Sequence, residues 1–185
     1  MGGTRWLTMS DKPIPGSYWV LPDRFLAGAY PVLQFDEVQT RQHIAHFLEA
    51  GFDTFIDLTN SNERLPYDPI LDEEAGRYGL KVHHRRIPFP DFHAPTRRSM
   101  TAALDAIDTA LAEDHKVYLH CVGGIGRTGT TVGCWLIRHG MDGSAALKRL
   151  QELYSDSAQS ALARNSPEGD EQIEFILNWV EHGLA

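Results

Sequence analysis

Hydrophobic and polar positions follow two different periods along this chain, and the changes of period predict short strands separated by helices. Residues 17–21 ("SYWVL") and 24–28 ("RFLAG") are strand-like runs joined by the turn "PD". Residues 35–50 carry apolar side chains at helical spacing, and Gly51 follows where the glycine that ends a helix belongs. The apolar side chains expected on one face of this helix are Val38, Ile44, Phe47 and Leu48.

The same alternation continues through the middle of the chain. Residues 52–59 form a largely apolar run that suits a buried strand, and residues 66–79 predict a loop with a short helix that ends on glycine. Residues 80–89 predict a further strand, which runs into the loop "PFPDFHAP". Thr96 is expected to cap a long amphipathic helix. The apolar side of that helix carries Met100, Ala103, Leu104, Ile107 and Leu111.

The last third of the chain begins with a short strand, "KVYLH", directly before the stretch "CVGGIGRTGTT". A helix is expected after Gly126, ending near Gly140, and a second helix at about residues 143–154. A final helix is predicted over residues 167–183, with Ser166 as its N-cap and Pro167 in its first turn.

Strands that alternate with helices are typical of the α/β class. The order predicts a single domain with a central, mostly parallel (mixed) sheet of about four to five strands flanked by helices. We place this domain at residues 17–185, after an N-terminal extension of residues 1–16. The length of 185 residues is enough for one domain with its own core.

Charge and cysteine content narrow the classes of function. The chain has 17 Lys and Arg against 25 Asp and Glu, and the resulting net charge of −8 argues against nucleic-acid binding, which needs a basic face. Two cysteines cannot form a disulfide framework, and no segment is apolar enough to span a membrane. Without an export signal we expect a cytoplasmic protein.

One short stretch combines features that carry chemistry. In "HCVGGIGRT", a strand delivers Cys121 to a glycine-rich turn that opens a helix, an arrangement in which backbone N–H groups converge on an anion. Such a ring of donors favours the thiolate form of a cysteine. Arg127 returns to the rim of the same loop, and its planar guanidinium can bind two phosphate oxygens at once. Thiolate and guanidinium around one phosphate predict nucleophilic phosphoryl transfer.

The stretch resembles a known signature. Residues 120–128 match H-C-x5-R-[ST], the signature of the cysteine-dependent protein tyrosine and dual-specificity phosphatases. The resemblance implies that Cys121 attacks phosphorus, that Arg127 holds the equatorial oxygens and that Thr128 assists departure of the sulfur. His120 is expected to orient the loop. The backbone amides expected to bind phosphate, and its oxyanion analogues, are those of Val122, Gly123, Gly124, Ile125, Gly126 and Arg127.

The resemblance also implies a general acid on a loop upstream of the cysteine and a polar residue late in the chain that places water. Asp91 in "PFPDFHAP" fits the acid, with Phe89 where the family's best-known loop has tryptophan. Gln172 is the candidate for placing water. The implied enzyme uses no metal and no cofactor, and it acts on phosphotyrosine proteins, with phosphoserine and phosphothreonine as further substrates.

Several alternatives remain open at this point. Cys121 alone could be a buried structural cysteine, and Asp91 could be a turn-forming residue after proline. Cys134 is expected to be a packed core thiol, with a redox bond to Cys121 as the alternative. The substrate could be a phosphoinositide or another small phosphate ester. The domain could instead be an inactive module that only binds phosphate, or a sulfur-transfer enzyme.

Overall fold

Five strands form one sheet in the centre of the protein, in a computed structural model that describes residues 12–32 and 36–181. The strands are β1 (Ser17–Leu21), β2 (Phe25–Gly28), β3 (Thr54–Asp57), β4 (His83–Arg86) and β5 (Val117–His120). Their order across the sheet is β1-β2-β5-β3-β4. Only the β1–β2 pair is antiparallel, and the other three pairs are parallel. The predicted α/β fold with a mostly parallel sheet is confirmed.

Three neighbouring strands end at the same level, which creates the edge where the site lies. His120 at the end of β5 is in register with Gly28 of β2 on one side and with Asp57 of β3 on the other. The chain therefore leaves all three strands at one edge of the sheet, the carboxyl edge at which open α/β sheets bind ligands. The next residue after β5 is Cys121.

Six α-helices in the described part of the chain cover the two faces of the sheet. They are α1 (Glu37–Glu49), α2 (Asp68–Tyr78), α3 (Arg97–Ala112), α4 (Gly126–Arg138), α5 (Gly143–Tyr154) and α6 (Asp170–Leu177). Helices α1 and α2 enclose an aromatic-rich core on one face, and α3 to α6 enclose a larger core on the other. Short polar caps begin several of these helices: the side chain of Thr96 accepts the backbone N–H of Ser99, as predicted for α3.

Two details of the predicted helices were wrong. Val38 is 67% exposed. Val38 and Ile44 are six residues apart, and at about 100° of rotation per residue they point to different faces of the helix. Thr40, four residues before Ile44, occupies the buried face instead. The last helix begins at Asp170 with Gly169 as its N-cap, because the Ser166 hydroxyl donates to the carbonyl of Ile125 at 2.7 Å.

The end of α6 was also misplaced, since the helix stops at Leu177. The Arg97 guanidinium donates to the carbonyl oxygens of Asn178 and Val180, at 3.2 and 2.8 Å, and lies over the ring of Trp179. These hydrogen bonds occupy carbonyl groups that would accept backbone N–H groups if the helix continued. Residues 182 and 183, the end of the predicted helix, lie outside the described residues.

The described part of the predicted N-terminal extension contacts the domain. Ile14 is buried in the core under α1 and α2, and Lys12 pairs with Asp156 at 2.8 Å. The boundary at residue 17 stays a prediction. None of the helices in the described ranges is long and apolar enough to cross a lipid bilayer.

Candidate active site

The glycine-rich turn, residues 121–127, is called the phosphate loop from here on, and it rests on the chain that leaves β2. Gly124 has φ of 72°, and a Cβ built on it would lie 2.3 Å from the carbonyl carbon of Gly28. Only glycine meets both requirements, because the position needs a positive φ and leaves no space for a Cβ beside the backbone of Gly28. The Tyr30 N–H donates to the carbonyl of Val122 at 2.9 Å. The loop is therefore braced from behind by backbone.

Cys121 lies at the bottom of a cavity of about 210 Å³. Its side chain is nearly buried, and the Gly124 N–H donates to its Sγ at 3.3 Å. Residues 121–123 and 125–127 of the phosphate loop line the cavity, together with Asp91, Phe92, Glu168 and Gln172. The structure therefore brings Cys121, Arg127, Asp91 and Gln172 to one cavity, although they come from three separate regions of the sequence.

Arg127 is held by a carboxylate that sequence reasoning missed. Its Nη1 and Nη2 donate to the two carboxylate oxygens of Glu63, at 2.9 and 2.8 Å, and the Arg127 side chain is 1% exposed. Burial alone would raise the pKa of Glu63, but the hydrogen bonds from Arg127 and Asn60 outweigh it and hold that pKa below its ordinary value. The Nε of Arg127 makes no hydrogen bond to any described residue.

Asp91 contacts the same guanidinium. Its Oδ1 lies 3.1 Å from Nη2 of Arg127, and its side chain is half exposed at the mouth of the cavity. One end of its loop is anchored where Phe89, which is fully buried, donates its N–H to the carbonyl of Leu58 at 3.0 Å. The sequence left the resting position of this loop open; in this structure it lies over the cavity.

His120 lies behind the phosphate loop in a buried polar network. Its Nε2 is 2.7 Å from the hydroxyl of Tyr67, and its Nδ1 is 3.3 Å from the carbonyl oxygen of Cys121. Burial lowers the pKa of His120 to about 4, against the opposing effect of the Asp57 carboxylate, so the imidazole is neutral near pH 7. Asp57 in turn binds Arg86 at 3.0 Å and the Thr59 hydroxyl at 2.6 Å.

The remaining two predicted residues are both buried. The Thr128 hydroxyl donates to the carbonyl of Gly28 at 3.4 Å in this structure, so its expected bond to the Cys121 sulfur requires rotation of that hydroxyl. Gln172 is 1% exposed and its Nε2 lies 3.4 Å from the carbonyl of His93. Its Oε1 accepts no hydrogen bond from the residues that the structure describes.

Two kinds of residue escaped the sequence analysis. Glu63, Tyr67 and Asp57 support the site from β3 and the chain after it, whereas Phe92 and Glu168 form part of the cavity wall. One signal could have found Glu63: an acidic residue shortly after a strand that neighbours β5 lies at the same sheet edge as the phosphate loop. No local pattern points to Tyr67.

Comparisons with known proteins find phosphatases of similar sequence or fold. The chain is 29% identical over 127 residues to the mouse dual specificity protein phosphatase CDC14B; the match covers 65% of this chain but only 24% of that protein. Among solved structures, Tk-PTP in its active form superposes with a TM-score of 0.61 at 24% identity, covering 88% of this chain and 94% of the other. PTPMT1 in complex with PI(5)P superposes with a TM-score of 0.61 at 18% identity, covering 84% and 88%.

A sequence model of one family matches the chain directly. Residues 34–141 match the family described as "Polymorphic toxin system, DSP-PTPase phosphatase". The matched segment includes Cys121, Arg127 and Asp91 and is more than half of the 185 residues. The protein therefore belongs to this family of DSP-PTPase phosphatases, within the superfamily of cysteine-dependent tyrosine and dual-specificity phosphatases.

Proposed function

We propose that the protein hydrolyses phosphomonoesters on phosphotyrosine proteins, with phosphoserine and phosphothreonine as further substrates, through a phosphocysteine intermediate. One observation carries the proposal: Cys121, Arg127 and Asp91 converge on a single cavity of about 210 Å³. The thiol, the guanidinium and the carboxyl are the nucleophile, the phosphate ligand and the acid that such a reaction needs.

In the first step, the Cys121 sulfur forms a bond to phosphorus while the bond from phosphorus to the ester oxygen breaks. The Gly124 N–H, 3.3 Å from Sγ, stabilises the attacking thiolate. Arg127 keeps two nitrogens on Glu63, which fixes the plane of its guanidinium, and its Nε is available to a phosphate oxygen. The departing oxygen takes the proton of the Asp91 carboxyl, which lies at the mouth of the cavity.

In the second step, water forms a bond to phosphorus and the sulfur–phosphorus bond breaks. The Asp91 carboxylate accepts the proton of that water, and inorganic phosphate and the thiolate are released. In this scheme Gln172 orients the water. Two observations support this role: Gln172 lines the cavity, and its buried Oε1 makes no hydrogen bond to the residues described. Rotation of the Thr128 hydroxyl from Gly28 to the sulfur would stabilise the thiolate as it leaves.

His120 acts in this scheme by orienting the phosphate loop. A buried neutral imidazole between the Tyr67 hydroxyl and the Cys121 carbonyl can fix the backbone from which the nucleophile projects. Because its pKa is lowered to about 4, His120 is a neutral imidazole near pH 7 and not a general acid. It also lies behind the loop, away from the cavity lining.

The cavity wall favours a phosphorylated aromatic side chain. Phe92 is 69% exposed at the mouth, and Ile125 adds a second apolar side chain to the lining. An aryl ring can pack against these groups. Among the described residues that line the cavity, Arg127 is the only Lys or Arg, whereas Asp91 and Glu168 are both acidic. Further phosphates on a substrate would therefore meet negative charge.

A phosphoinositide or another small phosphate ester is the alternative substrate class. PTPMT1, which shares the fold, has been crystallised with PI(5)P. The acidic wall of the cavity is the observation that favours a protein substrate over this class.

The decisive experiment measures phosphate release with EDTA present. Wild type is compared with Cys121→Ser and Asp91→Asn on p-nitrophenyl phosphate, and Cys134→Ala serves as the control because it alters the other cysteine, which is buried in the core. We expect activity on p-nitrophenyl phosphate in wild type and Cys134→Ala, and none in Cys121→Ser. On phenyl phosphate, whose leaving group depends more on the acid, we expect Asp91→Asn to lose about 10²–10⁴-fold.

Three results would contradict the proposal. An inactive wild type that still binds phosphopeptides indicates a binding module, and activity retained by Cys121→Ser removes the phosphocysteine intermediate. Faster turnover of phosphoinositides than of phosphotyrosine peptides would assign the alternative substrate class.

A further inference from the structure

The loop that carries Asp91, residues 88–95, is called the acid loop here, and its centre is tied to α6. The Nδ1 of His93 lies 2.9 Å from Oε2 of Glu171, and the N–H of Ala94 donates to Oε1 of the same carboxylate at 3.1 Å. Gln172, the next residue along α6, adds a long contact of 3.4 Å from its Nε2 to the carbonyl of His93. One acidic side chain thus binds two consecutive residues of the loop.

We propose that Glu171 is a positioning residue that latches the acid loop over the cavity and thereby aims Asp91 at the leaving oxygen. This inference rests on the proposed function, since Asp91 must be the general acid for the latch to matter. Glu171 itself lines no part of the cavity and touches no reacting atom.

The backbone next to the latch shows why it is needed. Phe92, directly after Asp91, has φ of 61°, a left-handed conformation that a residue with a side chain keeps only where neighbouring contacts hold it. The two residues that follow, His93 and Ala94, are the ones that Glu171 binds. The hydrogen bonds from these two residues also hold the pKa of Glu171 below its ordinary value, so the carboxylate is ionised where the loop needs an acceptor.

The ion pair between Asp91 and Arg127 cannot hold the loop during the reaction. In this structure Asp91 pairs with Nη2 of Arg127 at 3.1 Å, and the phosphate of a bound substrate competes with Asp91 for the same guanidinium. A phosphate in the cavity weakens this ion pair and repels an ionised Asp91. The contacts of Glu171 do not involve the cavity, so they persist when phosphate is bound, and they hold the centre of the loop beside the anchor at Phe89 and the long contact of Gln172.

The first test compares two aryl phosphates that differ in their need for a proton. The departing 2,4-dinitrophenolate is stable without protonation, whereas phenolate from phenyl phosphate depends on the acid. We expect Glu171→Ala and His93→Ala to lower kcat/KM about tenfold on phenyl phosphate and less than about threefold on 2,4-dinitrophenyl phosphate, which is part of the roughly 10²–10⁴-fold that a general acid contributes. Glu171→Gln, which keeps an oxygen acceptor for Ala94, should lose less than Glu171→Ala.

Glu174→Gln is the matched control, an exposed carboxylate one turn further along α6. It should keep wild-type rates on both substrates. Equal losses on the two substrates in Glu171→Ala would overturn the latch, because a general structural defect does not distinguish leaving groups. Wild-type rates of Glu171→Ala on both substrates would also overturn the latch.

A second variant separates the latch from other effects. In the Asp91→Asn background, Glu171→Ala should change kcat/KM on phenyl phosphate by less than about twofold, since there is no longer an acid to aim. A further tenfold fall in that background would overturn the proposal while leaving the proposed function intact.

Hydrogen exchange supplies a measurement that needs no activity. The amides of residues 92–94 should exchange faster in Glu171→Ala than in wild type, while α5 keeps its exchange rate. Unchanged exchange in residues 92–94 would refute the latch. An inactive wild type whose loop still opens in Glu171→Ala would refute the proposed function and, with it, the aiming of an acid.

Discussion

A single methyl group at Gly124 tests whether the backbone behind the phosphate loop sets the geometry of the nucleophile. The Cβ of Gly124→Ala would lie 2.3 Å from the carbonyl carbon of Gly28 and 2.5 Å from the N–H nitrogen of Ala29, whereas ordinary contact begins at 3.4 Å. Both neighbours are backbone atoms at the end of β2 and cannot rotate away. The loop must therefore shift by about 1 Å, the difference between these distances.

This shift is large enough to affect catalysis. The N–H of Gly124 donates to Sγ of Cys121, so that the moving residue is a direct contact of the nucleophile. A misplacement of about 1 Å can cost about 10²-fold in rate. The left-handed φ of 72° adds a conformational cost of about 1–2 kcal/mol to the free energy of folding of the alanine variant. We expect kcat/KM on phenyl phosphate to fall about 100-fold, with a variant that still folds.

The neighbouring glycine provides the control. A Cβ on Gly123 would meet only the Ile125 side chain, at 3.5 Å, and Gly123 does not have a positive φ in the left-handed region. Gly123→Ala should keep kcat/KM within about threefold of wild type, while urea denaturation measures the stability of both variants. A Gly124→Ala enzyme with more than a tenth of wild-type activity, or a Gly123→Ala enzyme that loses as much, would refute the steric argument.

Four further predictions concern groups around the site. Glu63→Gln removes a bidentate partner from Arg127 and should lower kcat/KM by about 30-fold, or about 2 kcal/mol, on phenyl and 2,4-dinitrophenyl phosphate alike; a loss confined to phenyl phosphate would contradict this role. Glu168→Gln should improve kcat/KM for a doubly phosphorylated substrate more than for a phosphotyrosine peptide, because one negative charge leaves the cavity wall; equal changes would refute the argument from charge. The pKa of His120 is about 4 in the folded protein, below the ordinary value of 6.5, so the unfolded chain binds more protons between these values and stability falls as pH drops from about 6.5 to about 4. Urea denaturation at pH 7 and pH 4.5 should show a loss of roughly 2 kcal/mol in the free energy of unfolding of wild type, and no such loss in His120→Gln. The same loss in His120→Gln would assign the effect to other groups. Burial raises the pKa of the Cys134 thiol, so a thiol reagent should modify Cys121 in the native protein and Cys134 only after unfolding; rapid modification of Cys134 in the native Cys121→Ser variant would contradict its burial.

The elements of the fold follow from local patterns in the sequence. Five strands and most helices lie where the hydrophobic period predicts them, because a strand or helix must turn its apolar side chains to the core whatever the rest of the chain does. The errors have different causes. Ser166 was expected to cap a helix, but its hydroxyl binds Ile125, 41 residues away. Val38 is six positions from Ile44, so the helical period itself turns it away from the buried face that contains Thr40.

The residues of the candidate site also fall into two groups, those that the sequence identifies and those that only the tertiary structure reveals. Cys121, Arg127 and the glycines between them could be identified from the sequence alone, because a strand, a tight turn and a helix start place them around one anion within seven residues. Glu63 could not, since it reaches Arg127 only through the parallel pairing of β3 with β5, from 64 positions away. The proposed latch on the acid loop likewise needs Glu171, 77 positions from Ala94. Local chemistry predicts which atoms react, and only the tertiary structure decided what holds them in place.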